Sequence, residues 1–312
     1  MGNFTLQDHI ESIELNGLKG RMICAPARRR RASGVNILFV HGHHNSLERM
    51  AGVAELMVDY GNFCLPDLPG FGGMGSFFTI GLKPTIENYA DYLAAFIKLQ
   101  YGQRKKFVIV GYSMGFLVVT RMLQKYPDLA RQTIDVISFA GFVHHGDFSF
   151  SRRRVMLYKL GAMFGTTRLV SWIIREVFLR KWFLFSIYRH TNNAKHKLAG
   201  HDAAELRRMV EFEYTLWRCN DIRTWCYTTL EMFKADCTRY GQVPEKLIAV
   251  TLKGDQYFDA TVTEQHLRIV YKDVKLVPAQ VPKHGMSVIS SAEEAALFFP
   301  PAVRTHITSL RS

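Results

Sequence analysis

One serine interrupts two apolar runs in the stretch FVIVGYSMGFLVVT, which covers residues 107–120. Gly111 and Gly115 lie two residues from Ser113 on either side, forming the pattern G-x-S-x-G. Chance supplies about 0.1 such match in a chain of this length, so the pattern alone is weak. Here it joins an apolar strand to a helical pattern, where a serine on a tight turn exposes its hydroxyl. A serine becomes a nucleophile when an imidazole takes its proton and a carboxylate orients that imidazole.

The elements around this serine alternate between strand and helix. Hydrophobic patterns predict strands at 3–15, 20–27, 35–40, 62–65, 107–110, 134–139, 246–252 and 274–277. Helical spacing predicts helices at 47–60, 85–99, 116–126, 263–270 and from 287 onwards. Such alternation is typical of an α/β fold with a mostly parallel sheet and helices on both faces.

The alternation stops after residue 141, and the pattern is helical from there to residue 237. We therefore predict a core made of residues 1–141 and 238–312. Residues 142–237 are predicted to form a helical cap inserted into that core.

Four motifs occur in a characteristic order: His41-Gly42-His43, the segment 66–72 (PDLPGFG), the elbow around Ser113, and Lys283-His284-Gly285. With them the chain resembles the serine-nucleophile branch of the α/β-hydrolase fold superfamily, which contains esterases and lipases. The resemblance covers nearly the full length except the cap. It implies that Ser113 is the nucleophile and His284 its general base. The aspartate-nucleophile branch is disfavoured because the elbow holds a serine.

The acid of the triad is open between three aspartates. In the family it commonly stands three residues past a glycine after the penultimate strand, and here that position holds Tyr257. Asp255 is preferred because it follows the strand first, and Asp259 comes next. Asp147 is a third candidate, since some relatives carry the acid after the preceding strand. Any of these carboxylates could instead cap a helix or lie on the surface.

An oxyanion hole requires two backbone N–H donors, each typically worth about 10²–10³ in rate. We expect one from Met114, because the first amides of a helix lack intrahelical partners. The resemblance assigns the other to His43. His41 is expected to hold this loop by hydrogen bonds.

Neither a cofactor nor a metal is expected. The segment 70–75 (GFGGMG) matches a dinucleotide fingerprint, but no helix opens at its last glycine. The histidine clusters 41–44 and 144–145 lack ligand spacing tied to a supporting acid.

The net charge of +13 is concentrated in the cap: residues 152–197 carry eleven Lys and Arg and one acid, together with eight aromatic residues. Two interpretations stay open: a cap that packs its aromatic residues on the core, or a contact with anionic membranes or acidic amphiphiles. No nucleic-acid-binding module is recognisable. The N-terminus lacks a secretory pattern, and the cysteines are odd in number, so the expected location is cytoplasmic, with peripheral membrane contact left open.

The predicted function is a serine hydrolase acting on a small-molecule carboxylic ester or thioester with an apolar acyl group. The alternatives are an acyltransferase or a C–C bond hydrolase using the same triad, and a hydrolase-like binding protein without activity.

Overall fold

The computed structural model describes residues 4–183, 203–252, 254–279 and 289–310. A single eight-stranded sheet runs through these residues in the order β1-β2-β4-β3-β5-β6-β7-β8. β1 and β2 are antiparallel to their neighbours, and the pairs from β4 through β8 are parallel. The strands are β1 (Ile10–Leu15), β2 (Leu18–Ala25), β3 (Asn36–Val40), β4 (Asn62–Pro66), β5 (Phe107–Tyr112), β6 (Thr133–Phe139), β7 (Leu247–Thr251) and β8 (Val274–Pro278).

Helices cover both faces of this sheet, as predicted. The helices are α1 (Ala51–Met57), α2 (Ile86–Tyr101), α3 (Met114–Lys125), α4 (Pro127–Ala130), α5 (Arg152–Gly165), α6 (Arg168–Ile173), α7 (Ala203–Cys219), α8 (Ile222–Met232), α9 (Ala260–Val270), α10 (Ala292–Phe298) and α11 (Pro301–Ser309). One apolar core lies between the sheet and α2, α3 and α9, and the other lies between the sheet and α1, α10 and α11. The predicted α/β class with a mostly parallel sheet is confirmed.

Several predicted boundaries are corrected. The first strand is shorter, because Leu6–His9 form a 3₁₀ helix before β1. The segment 47–60 contains a 3₁₀ turn and only seven α-helical residues. The single terminal helix is wrong: Pro300 and Pro301 separate α10 from α11. Proline lacks an N–H donor and clashes with the preceding turn, so a continuous helix cannot pass through both.

The described residues between β6 and β7 are mostly helical, and none of them belongs to a strand of the main sheet. Helices from this segment share a small apolar cluster, made of Ala162, Leu179, Val210, Ile222 and Cys226. α8 joins it to the main body, where Glu231 accepts the Ile86 N–H at 3.1 Å. The division at residues 142 and 237 stays a prediction. Among the described residues, no helix combines the length and the apolar character that crossing a membrane requires.

Candidate active site

Ser113 occupies a tight corner between β5 and α3. Its backbone has φ 50° and ψ −119°, a conformation that non-glycine residues rarely adopt. Such a conformation costs roughly 1–3 kcal/mol and persists only where the surroundings impose it. The residue is half-buried, so its side chain retains access to solvent. The predicted strand-turn-helix context of the G-x-S-x-G motif is therefore present.

The two flanking glycines are required by close backbone contacts. A Cβ at Gly111 would lie 2.5 Å from the Cα of Phe116. A Cβ at Gly115 would overlap the carbonyl oxygens of Val40 and His41 at the end of β3. The first turn of α3 is thus seated directly against the loop that follows β3.

This loop after β3 is held by the buried ring of His41. The N–H of Leu68 donates to Nε2 of His41 at 2.9 Å, so the ring hydrogen is on Nδ1. Nδ1 then donates to the carbonyl of Gly42 at 2.8 Å. Burial lowers the pKa of His41 to about 4, which keeps the ring neutral near pH 7. Hydrogen bonding by His41, as expected from sequence, positions this loop.

The next two residues place the loop beside Ser113 and tie it to the cap. A Cβ at Gly42 would lie 3.1 Å from the Cβ of Ser113, so the backbone passes next to the serine. The ring of His43 lies 2.8 Å, Nε2 to Oγ1, from Thr228 in α8. It also packs on Trp225, with ring centroids 5.1 Å apart. Burial lowers the pKa of His43 to about 3.

Met114 is the first residue of α3. The first hydrogen bond at this end of the helix runs from Phe116 N–H to Ser113 O at 3.0 Å. The N–H of Met114 precedes that bond, and a helix N-terminus favours negative charge. The two residues expected to form the oxyanion hole, His43 and Met114, thus flank Ser113 in the loop and in the helix.

The glycine-rich segment 66–75 is firmly anchored. The carboxylate of Asp67 is fully buried and accepts from Arg21 at 3.1 Å; burial raises its pKa, and the Arg21 charge opposes this rise. Gly72 has φ 61°, and a Cβ there would overlap that carboxylate. Its N–H donates to Asn220 of the cap at 2.8 Å. The glycines therefore permit close packing of this segment against Asp67 and Asn220.

Asp255 lies beyond the end of β7, near the elbow. It is half-buried, and its Oδ1 accepts from the N–H of Tyr257 at 2.8 Å. Burial raises the pKa of Tyr112 to about 12, with the charge of Asp255 contributing in the same direction. Since Tyr112 precedes Ser113, Asp255 is close to the residue that adjoins the serine.

The other two aspartates also have structural partners. Asp259 is the N-cap of α9 and accepts the Thr261 and Val262 N–H groups at 2.9 and 3.0 Å. Asp147 is fully buried; one carboxylate oxygen accepts the Val143 and His144 N–H groups at 2.9 and 3.0 Å. Its other oxygen lies 2.5 Å from Nδ1 of His266.

His144, Asp147 and His266 form a cluster whose ligand atoms lie within 4.8 Å of one another. This grouping is not evident from the sequence, because His266 is 119 residues from Asp147. The Gly146 N–H donates to Nδ1 of His144 at 2.9 Å. With both oxygens of Asp147 also bonded, the cluster fastens the start of the inserted segment to α9.

His284 lies outside the described residues, and the described residues on either side of its segment are held by backbone hydrogen bonds. At one end, Ala279 N–H donates to Thr251 O at 2.8 Å, at the end of β7. At the other, Ile289 N–H donates to Arg49 O at 3.1 Å. Ile289 and Tyr112 line one small cavity. Both ends are thus at the edge of the sheet that carries Ser113 and Asp255.

The close contact at Gly115 yields a test of the elbow. Gly115→Ala should lower the free energy of unfolding by about 1–3 kcal/mol, because the added methyl overlaps two carbonyl oxygens. Gly161→Ala is the matched control: it is a helical glycine with open space around it, and should gain up to about 1 kcal/mol. Chemical denaturation measures both. Equal stability of Gly115→Ala and wild type would contradict the contact.

The buried histidines predict acid sensitivity. His41 has a folded pKa of about 4 and an unfolded value of 6.5, so the unfolded chain binds more protons between these pH values. Stability should therefore fall as pH decreases through this window, by about 3 kcal/mol from His41. His43 acts in the same direction.

Denaturation curves collected from pH 7 to pH 4 measure this effect. His41→Gln should make the free energy of unfolding less dependent on pH, because about one proton fewer is taken up on unfolding in this window. A wild-type slope near zero throughout this window would contradict burial of neutral imidazoles.

Comparisons with known proteins agree with this geometry. Solved structures with the same fold include N-formylmaleamic acid deformylase from Pseudomonas putida (14% identity, 92% of this chain and 98% of that chain covered, TM-score 0.62). A membrane phospholipase A described as a bacterial virulence factor has 12% identity and a TM-score of 0.65, and the match covers 96% of this chain and 86% of that chain. A thermophilic esterase from Thermogutta terrifontis has 16% identity and a TM-score of 0.60, and the match covers 96% of this chain and 97% of that chain.

At these identities the structural matches show the α/β-hydrolase fold. A search of curated proteins finds no match to this sequence. The family model for serine aminopeptidase, S33, matches residues 32–232, which is more than half of the chain. The chain therefore belongs to the serine aminopeptidase S33 family of α/β-hydrolases.

Proposed function

We propose that this α/β-hydrolase cleaves a small-molecule carboxylic ester or thioester with an apolar acyl group through a Ser-His-Asp triad. The observation that carries the proposal is the backbone of Ser113, held at φ 50° between β5 and α3. This corner presents a hydroxyl beside the loop of residues 41–43 and the first amide of a helix. A serine that merely capped the helix would accept an N–H bond, and no side-chain cap bond is formed by Ser113.

In the proposed reaction, Oγ of Ser113 attacks the carbonyl carbon while His284 takes its proton. The tetrahedral intermediate collapses to an acyl-enzyme as His284 gives that proton to the departing alcohol or thiol. Water then attacks the acyl-enzyme with His284 again as base, which releases the acid and regenerates Ser113. The attachments at Ala279 and Ile289 support His284 for this role, because the residues flanking its segment lie at the edge of the sheet that carries Ser113.

The negative charge of the tetrahedral intermediate would be stabilised by the amides of His43 and Met114. Both belong to backbone that is already fixed: the loop by His41 and Thr228, the helix by its contact with β3. Donors held in place before reaction do not have to reorganise as charge develops.

Asp255 is the proposed partner of His284. It follows β7, and its charge acts on Tyr112, next to the nucleophile. Asp259 instead stabilises the start of α9, and Asp147 is engaged with two backbone amides and His266. These observations support Asp255 as the proposed acid.

The neighbourhood of the proposed site supports an apolar acyl group. Phe71 and Trp225 pack against the ring of His43, with centroids 5.5 and 5.1 Å away. Trp217 lies next to Trp225 at 5.5 Å. Aromatic side chains at the junction of cap and core favour a hydrocarbon substituent. We infer that the substrate is amphiphilic.

A fluorophosphonate probe tests the nucleophile. The folded protein should bind one equivalent at Ser113, as measured by intact mass and peptide mapping, since such probes require an activated serine. Ser113→Ala should abolish labelling, and His284→Ala should slow it by about 10⁴-fold or more. Heat-unfolded protein is the control and should not react. Absence of labelling in folded protein would reject the hydrolase proposal in favour of a silent binding protein.

Steady-state hydrolysis of p-nitrophenyl esters of increasing chain length, alongside acyl-CoA thioesters, tests the acid. Asp255→Asn keeps the acceptor for Tyr257 N–H but removes the charge that would stabilise the imidazolium, so kcat should fall about 10⁴-fold. Asp259→Asn is the matched control, because asparagine caps helices as well as aspartate does. Loss of activity confined to Asp147→Asn or Asp259→Asn would move the acid to that residue.

A further inference from the structure

The exposed large apolar side chains are concentrated in one part of the cap. Of the seventeen such side chains that the structure describes, eleven lie between residues 156 and 182. They are Met156, Leu157, Tyr158, Leu160, Met163, Phe164, Leu169, Trp172, Val177, Phe178 and Trp182. Scattered exposed apolar residues are normal in a folded protein, whereas a dense group marks an interaction site.

Helix α5 shows how this surface arises. Its two buried residues, Ala162 and Gly165, face α8, and a Cβ at Gly165 would overlap the sulfur of Cys226. Exposed apolar residues lie on the other side, within an arc of about 120° at 100° per residue: Met156, Leu157, Leu160, Met163 and Phe164. The helix therefore packs one side on the cap and leaves a second apolar side uncovered.

Positive charge surrounds these apolar residues. Residues 152–182 contain eight Lys and Arg and a single acid, Glu176. Four of the cations are exposed and make no ion pair with any other residue that the structure describes: Arg152, Arg153, Lys159 and Arg168. A second copy of this chain would bring two faces of like charge together, which opposes self-association.

We propose that residues 152–182, termed the cap face, dock on the anionic surface of a lipid bilayer. Exposed Trp, Phe and Leu beside Lys and Arg are the composition of helices that lie in the membrane interface. Each Lys or Arg near an anionic surface adds about fivefold in affinity. The proposed amphiphilic substrate would reach the candidate site from the bilayer at this surface. This role of the cap face in supplying substrate rests on the proposed function.

One helix separates the cap face from the candidate active site. α8 packs against α5 on one side. On its other side, Thr224 lies 2.8 Å from Ser76, Oγ1 to Oγ, and Thr228 lies 2.8 Å from His43. Docking through the cap face would thus bring a membrane within about one helix layer of the loops beside Ser113.

Cosedimentation with vesicles tests the proposal, using Ser113→Ala protein so that binding is measured without turnover. At low salt, binding to vesicles of 30% phosphatidylglycerol in phosphatidylcholine should exceed binding to pure phosphatidylcholine by about tenfold or more. It should weaken strongly at about 0.5 M salt because exposed charges are screened. If binding persists but wild-type protein hydrolyses no ester, the docking proposal stands and the proposed function fails.

Paired variants assign binding to the cap face. Arg152→Ser/Arg153→Ser should weaken binding about 25-fold, whereas Arg30→Ser/Arg31→Ser, the same charge change on another exposed segment, should not. Phe164→Ser should also weaken it, with Leu99→Ser as control, since their exposed fractions are 62% and 60%. Three outcomes would overturn the proposal. The protein could bind anionic and neutral vesicles equally, or both arginine pairs could lose binding equally. The protein could also form a dimer without lipid that Phe164→Ser disrupts.

Discussion

The contact between Gly115 and the end of β3 governs the geometry of the candidate site. Because no side chain stands between them, the first turn of α3 reaches the carbonyl oxygens of Val40 and His41. This approach fixes two things together: the strained turn at Ser113 and the proximity of the loop 41–43 to the helix N-terminus. The proposed nucleophile and oxyanion donors are therefore positioned by this backbone contact, supported on the other side of the serine by Gly111.

A second layer of interactions holds the loops around that contact. His41 links the loop after β3 to the loop after β4 through Leu68, and Arg21 neutralises the buried Asp67 in the latter. Asn220 and Thr228 then connect both loops to the cap. Buried polar groups are costly unless they are hydrogen-bonded, so these bonds hold the loops in place. The helical segment between β6 and β7 therefore helps to position the loops of the candidate site.

The outer side of the cap differs from these loops because its apolar residues are exposed. In the described part of the chain, its interior is a small cluster around Ile222 and Cys226, which offers space for only one side of α5 and α6. Apolar residues on the remaining surface stay exposed, in the midst of unpaired cations. The described aromatic residues between positions 152 and 182 remain exposed on this surface. Its composition suits an interface between water and lipid.

The sequence alone predicts the order of strands and helices and the glycines of the elbow. These features are local: hydrophobic periodicity and turn chemistry act over a few residues. The pairing of Asp147 with His266 is visible only in the tertiary structure, because this bond joins distant segments. Likewise, α5 has apolar residues around much of its circumference, so its sequence cannot tell which side is buried. Packing against α8 buries the side that carries Ala162 and Gly165, because these small residues allow the closest approach.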